Sequence, residues 1–375
     1  MKKDLYGGFP GARFIGAEEL ESTKEVIAAR SPYRFYGLNL LKQAEILESL
    51  CCDIFKRKHT LAVTSGTAAL HCALFALGIS EGDEVILPAY AWGADLMTIL
   101  ALGAVPVIAP LDDTLGIDVS ALDECISERT KAIIAVHMRG CPCDIQGILD
   151  IARPKGIKVI EDGAQCVGGK VNDLPIGSIG DISVLSFQYH KLVTSGEGGA
   201  VMMNDKTLYE KAHRFHDLGM FRHAGEADPA GPDSMASFGL NYRISELQSA
   251  FLIPQLKKMP GILLGLKSSY RIALEELSGI CDEYHLHERN IPDNTKRNHA
   301  FLCLTAETGE DAGSAFNKLR ELGIPVHACS RMDGHHFEIW KGFMEKENRP
   351  FRVVQGEKSS GVLDRSLFIE INSLT

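Results

Sequence analysis

The chain has 375 residues, 45% of them hydrophobic and 23% charged, and its 49 Asp and Glu outweigh 39 Lys and Arg to give a formal net charge of −10. That length exceeds one small core and sets the expectation of two domains, while the acidic balance argues against a nucleic-acid backbone or an anionic membrane as the main partner. No apolar run approaches the roughly 20 residues that span a bilayer, and Met1-Lys2-Lys3-Asp4-Leu5 opens no apolar signal region, so the expected setting is cytoplasmic.

In chain order, short apolar runs alternate with segments of helical period. The predicted strands are 61–63, 84–87, 105–108, 131–136, 157–160, 182–186 and 200–203, with helices over 68–77, 91–102, 119–127 and 145–152 between them. This is the pattern of an α/β domain built on a mostly parallel, seven-stranded sheet. Helical period returns over 206–216 and 245–258. From about Gly261 the chain is more densely charged, with helical segments at 272–277 and 315–322 and strand-like runs at 300–304 and 325–329. The expected division is therefore a large domain over 1–255, whose segment 1–30 lies near the active site, and a smaller C-terminal α/β domain over 256–375. The ten cysteines are scattered; Cys51-Cys52 and Cys141-Pro142-Cys143 have no second pair at zinc-ribbon spacing. They read as free thiols rather than metal ligands, and no metal is expected.

Four segments of the large domain carry chemistry. In Val63-Thr64-Ser65-Gly66-Thr67-Ala68 a strand ends, a glycine turns and an alanine-rich helix begins, so the amides of Gly66 and Thr67 suit a phosphate or simply a capped helix. Trp92, one of two tryptophans, follows the second strand, where α/β sheets bind ligands, and its flat face suits an aromatic ring as well as it suits a core. Asp162, in Glu161-Asp162-Gly163-Ala164-Gln165, ends a buried strand and would keep a pyridine nitrogen protonated, with Gln165 placed to donate to a phenolic oxygen. Between Ser186 and Gly199 lies Lys191, flanked by glycines, an arrangement that suits a Schiff-base lysine of pyridoxal 5′-phosphate, with Ser186 adding a hydroxyl to the phosphate.

Order and spacing bring these segments together with Gly82-Asp83-Glu84-Val85-Ile86-Leu87-Pro88, Val136-His137-Met138-Arg139-Gly140, Gly177-x-x-Gly180-Asp181, Gly196-Glu197-Gly198-Gly199 and Gly239-Leu240-Asn241-Tyr242-Arg243. From about Gly16 to Gln255 the chain resembles the DegT/StrS-type aminotransferases, fold-type-I pyridoxal phosphate enzymes that mostly act on sugars and cyclitols. The resemblance implies Lys191 as the Schiff-base lysine and Asp162 as the partner of the pyridine nitrogen. It implies Trp92 on the ring face, Gln165 near the phenolic oxygen, and Gly66, Thr67 and Ser186 on the phosphate. Asn241 would reach the cofactor of a neighbouring subunit, which implies a homodimer with shared active sites.

Departures from the family pattern bear on the substrate. Gln188 stands three residues before the lysine, where members acting on nucleotide-linked sugars usually carry histidine, and this favours a small, nucleotide-free substrate. Ala91 replaces the usual hydroxyl residue before the stacking aromatic. The chain stops at Thr375, where the family generally continues into a terminal helix. Substrate-facing candidates are Tyr33 and Arg34 in the segment Ser31-Pro32-Tyr33-Arg34-Phe35-Tyr36, together with Gln188 and Tyr189; Arg331, His335 and His336 suit an anionic substrate or a plain surface. The leading expectation is transfer of an amino group from glutamate or glutamine to a keto-sugar, cyclitol or other small cyclic ketone. The alternative retains the amine and performs elimination, cyclisation or epimerisation of an amino-acid-like substrate. Lys191 argues against the family's deoxygenating branch, which carries histidine in its place.

Overall fold

The computed structural model describes residues 3–223, 237–331 and 334–373. Its centre is an eight-stranded sheet in the order His59–Val63, Gly199–Met203, Ile182–Ser186, Lys158–Asp162, Thr130–Val136, Glu84–Pro88, Val105–Ala109, Arg352–Val353. All seven strands expected from the sequence are present. Only Gly199–Met203 runs antiparallel to its neighbours. The parallel strands are buried on both faces and read as continuous apolar runs rather than alternating ones, because helices cover both sides.

The eighth strand, Arg352–Val353, pairs in parallel with Val107 and Ile108 and comes from the C-terminal part of the chain. Two residues carry too little pattern to read as a strand. A second, antiparallel sheet takes Leu286–Glu288, Phe301–Ala306, Ser366–Glu370 and Val326–Ala328 in that order. Its strands 301–306 and 326–328 match the expected runs, whereas Ser366–Glu370 was not anticipated. The chain's two ends meet there, through a bridge between Tyr6 and Ile371.

The two sheets are joined by one helix, Glu246–Glu283, which runs on far beyond the expected stop near residue 258. Pro254 and Pro260 lie inside it, and a proline cannot donate to the carbonyl four residues back. Tertiary structure supplies a replacement at the first of these: the Ser22 hydroxyl donates to Ala250 O at 2.6 Å. The helix starts on a capping box in which Ser245 Oγ accepts from the Gln248 amide. Among the described residues no helix is long and apolar enough to cross a membrane, no metal-binding group of side chains occurs, and all ten cysteines are free.

Candidate active site

Parallel strands end on one edge of the large sheet, and their C-terminal ends open a cavity of ≈ 570 Å³. Gly66, Thr67, Trp92, Asp162, Gln165, Ser186, Gln188 and Lys191, read separately in the sequence, all line it. At one wall the helix Gly66–Ala76 begins with Ser65 as its cap, the Ser65 hydroxyl accepting from the Ala68 amide at 3.0 Å. No acid lies in its first turn, so the free amides keep their positive end. Ser186 faces this turn so closely that a methyl group on Gly66 would stand 2.8 Å from Ser186 Cβ. Glycine is needed here because the strand end and the helix start converge.

On the floor, Asp162 ends the strand Lys158–Asp162 and accepts from the Ala164 amide at 2.7 Å. The side-chain oxygen of Gln165, Oε1, is buried with no hydrogen-bond partner among the described residues, which is rare for a buried amide. Burial lowers the pKa of Lys191, with the Asp162 charge opposing that shift and Arg139 reinforcing it. A lysine so placed is a better nucleophile and a readier proton carrier than one in water. Trp92, 52% exposed, sits at the opening with its ring 4.8 Å from that of His335.

Behind the floor, Glu161 organises the strand end. Its carboxylate accepts from the amides of Gly177, Ile179 and Gly180 at 2.7, 2.8 and 3.0 Å, lies 3.2 Å from His137 Nε2 and 3.6 Å from Arg57 Nη2. Because His137 Nδ1 accepts from the Cys143 amide, the ring proton sits on Nε2 and is donated to Glu161. Burial alone would raise the Glu161 pKa; His137 and the loop amides outweigh it and bring it to about 2.

Four candidates lie elsewhere. Arg34 does not reach the cavity: its guanidinium is buried, 2.7 Å from Glu48, and donates to Ala62 O at 3.0 Å. Tyr33 meets Arg222 at 3.0 Å and lies under Arg243, and Tyr189 packs on Phe9 and His190. Asn241 is exposed beside Arg243 and is not part of the cavity lining. Of the histidines and arginine of the C-terminal part, His335 lines the cavity and Arg331 packs over Phe316.

The cavity also holds Asp95, Arg139, Asn298 and Glu370, to which the sequence reading gave no role. Asp95 follows Trp92 by three residues in the first turn of the helix Gly93–Ala101, so its spacing from the aromatic was available as a signal. Arg139 belongs to the motif Val136-His137-Met138-Arg139-Gly140. Asn298 and Glu370 come from the C-terminal part, where no local signal points to this site.

The residues present fit pyridoxal 5′-phosphate: a helix N-terminus with three hydroxyls for a phosphate, a flat indole face, a side-chain amide, a buried carboxylate and an amine. Comparison with known proteins agrees. Residues 36–342 match the model of the DegT/DnrJ/EryC1/StrS aminotransferase family. GDP-perosamine synthase of Vibrio cholerae is 36% identical over 245 residues, a match spanning 65% of this chain and 65% of that protein's length, just under two thirds. The aminotransferase from Psychrobacter cryohalolentis superposes with a TM-score of 0.84 at 25% identity, over 99% of this chain and 95% of that one. E. coli GDP-4-keto-6-deoxy-D-mannose-3-dehydratase, solved with bound hydrated PLP, superposes with a TM-score of 0.82 at 18% identity, over 99% and 96% of the two chains. At that identity the last likeness speaks for the fold.

Proposed function

This chain belongs to the DegT/DnrJ/EryC1/StrS aminotransferase family, and from that premise we propose that it transfers an amino group from glutamate or glutamine to a keto-sugar, cyclitol or other small cyclic ketone. The cofactor is pyridoxal 5′-phosphate, held at Lys191. The observation that carries this reading is the enclosure of Lys191, Asp162 and the Gly66–Ser186 cradle in one cavity. When bound, the cofactor supplies the electron sink for breaking and making the carbon–nitrogen bond.

The chain's own residues supply the rest. Lys191 Nζ, its pKa lowered chiefly by burial, anchors the cofactor and then holds and returns a proton at the substrate carbon. Asp162 keeps a proton on the pyridine nitrogen, the amides of Gly66 and Thr67 with the Ser186 hydroxyl hold the phosphate, and Trp92 covers the ring and excludes water. Gln165 donates from its side-chain amide nitrogen to the phenolic oxygen. Exposed Asn241 belongs, in this reading, to the site of a second subunit in a cytoplasmic homodimer.

Gln188 supports a nucleotide-free acceptor: it lines the cavity, and its side-chain oxygen accepts from the His190 amide at 2.9 Å. The name of the V. cholerae relative makes nucleotide-linked keto-sugars the competing class. The test is to load purified protein with pyridoxal phosphate, reduce it with borohydride and map the modified peptide. The label is expected on Lys191 and absent from Lys191→Ala. Wild-type protein that takes no label overturns the cofactor reading. Glutamate or glutamine should then yield the corresponding keto acid and an aminated acceptor; release of ammonia without an aminated product would favour elimination.

A further inference from the structure

Arg139 is a buried cation in this cavity with no acid among the described residues within ion-pair distance. It follows the strand Thr130–Val136 in a left-handed backbone conformation, φ 52°, which costs a residue with a side chain about 1–2 kcal/mol. The surroundings hold it there. Arg289 Nη2 donates to Met138 O at 2.7 Å, the Gly140 amide to Gln165 O at 3.0 Å, and the Asn298 amide to Gly140 O at 2.9 Å. Gly140, itself at φ 74°, has no room for a side chain, because a Cβ would lie 2.3 Å from Asn298 Oδ1.

Held this way, the side chain is 5% exposed and lies 4.0 Å over the Phe368 ring. Nε and Nη2 each donate to the Tyr90 hydroxyl at 3.3 Å, and Nη1 has no acceptor among the described residues. Arg34 is balanced by Glu48 and Arg57 by Glu161; Arg289, also buried, meets no carboxylate among the described residues but does not line the cavity. No carboxylate among the described residues comes within ion-pair distance of Arg139, although Asp162 and Glu370 line the same cavity. A buried, uncompensated charge is costly, and here it shares the chamber with Lys191.

We propose that Arg139 binds the carboxylate of the amino-acid substrate, fixing the amine end of that substrate toward Lys191. This rests on the aminotransferase reading and names the group that orients the donor. Nη1 offers a charge-assisted hydrogen bond to one carboxylate oxygen. Phe368 and Tyr90 fix the guanidinium plane, so little side-chain freedom is lost on binding. Glu370, two residues beyond Phe368 on the same face of the strand Ser366–Glu370, places a negative charge at the same wall. It disfavours a polyphosphate there and leaves room for a single carboxylate.

The test is binding, not turnover. Titrate cofactor-loaded wild-type protein with glutarate and with its uncharged diamide, glutaramide, by calorimetry. Glutarate is expected to bind roughly 10- to 100-fold more tightly. That preference should vanish in Arg139→Met and be reduced in Arg139→Lys, which keeps the charge without the planar fork. Cofactor loading, followed by its visible absorbance, should survive in both. Equal binding of the two probes by wild type overturns the proposal, even if Arg139→Met does not fold. So does an unchanged preference in a loaded Arg139→Met or Arg139→Lys. Failure of the wild type to load the cofactor would instead overturn the reading beneath it.

Discussion

The carboxyl of Asp95 faces that of Asp162 in the floor of the cavity, and no other side chain among the described residues is hydrogen-bonded to either Asp95 oxygen. Two adjacent buried carboxylates cannot both stay ionised. Burial first, and then the Asp162 charge, hold Asp95 well above the ordinary carboxylate range. Burial raises Asp162 as well, but less, because the Ala164 amide, Lys191 and the neighbouring Asp95 oppose it. The pair therefore keeps one proton, on Asp95, and leaves Asp162 charged.

That arrangement separates the two residues by substitution. Asp162→Asn is expected to slow amine transfer by about 100-fold or more, the scale for removing one aligned electrostatic partner. Asp95→Asn retains a donor toward Asp162 and should stay within a few-fold of wild type, with Asp95→Ala between the two. Measuring the rate of keto-acid release in all three checks the order; equal losses in Asp95→Asn and Asp162→Asn would refute the division of roles.

The two tryptophans should behave oppositely. Trp92 is 52% exposed at the cavity, whereas Trp340 is 3% exposed in the core. Trp92→Ala is expected to leave the melting temperature nearly unchanged and weaken cofactor binding by roughly 2- to 10-fold. Trp340→Ala should cost about 3–5 kcal/mol of stability. Thermal melts and equilibrium dialysis of the cofactor distinguish these outcomes.

Gly66→Ala tests the cradle. Its new methyl group would lie 2.8 Å from Ser186 Cβ and 3.1 Å from Ser186 Oγ, so the strand end and helix start must separate at a cost of about 1–3 kcal/mol. Cofactor affinity should fall with it. Gly361→Ala is the comparison: it lies in the helix Gly356–Asp364 with nothing within 4 Å of its added Cβ. It is expected to raise stability by about 0.5–1 kcal/mol and leave cofactor affinity alone.

Glu161 makes stability pH-dependent. Its pKa falls from 4.5 to about 2 in the folded protein, because His137 and the loop amides outweigh burial. A depressed carboxylate contributes stability that is complete above the unfolded value and is lost as pH drops from about 4.5 toward 2. For this group the contribution is about 3 kcal/mol. Urea midpoints measured across that window should fall with acid in wild type. In Glu161→Gln they should start lower at neutral pH and fall less steeply; parallel curves would show that Glu161 is not the group responsible.

Much of the site was legible because it lies on the large sheet. Each of Gly66, Trp92, Asp162 and Ser186 sits at or just past a strand's C-terminal end, and a run of buried strands announces those ends through its own apolar pattern. Arg34 shows the limit: a basic residue between aromatics looks the same in sequence whether it faces a ligand or, as here, Glu48.

By itself, the sequence determined the seven main strands and the lysine, acid, indole and hydroxyl that share one cavity. Each depends on neighbours only a few residues away: alternation of apolar runs, a glycine at a crowded turn. Tertiary structure decided the rest. Helix Glu246–Glu283 passes through Pro254 with Ser22 donating to the carbonyl that the proline leaves unserved. Asp95 keeps a proton because it is buried with the Asp162 charge beside it. Arg139 holds a left-handed turn because Arg289 and Asn298, more than a hundred residues downstream, grip the adjoining backbone. Charge balance and backbone strain are properties of who is adjacent in space, and adjacency across that separation leaves no period or spacing in the chain to read.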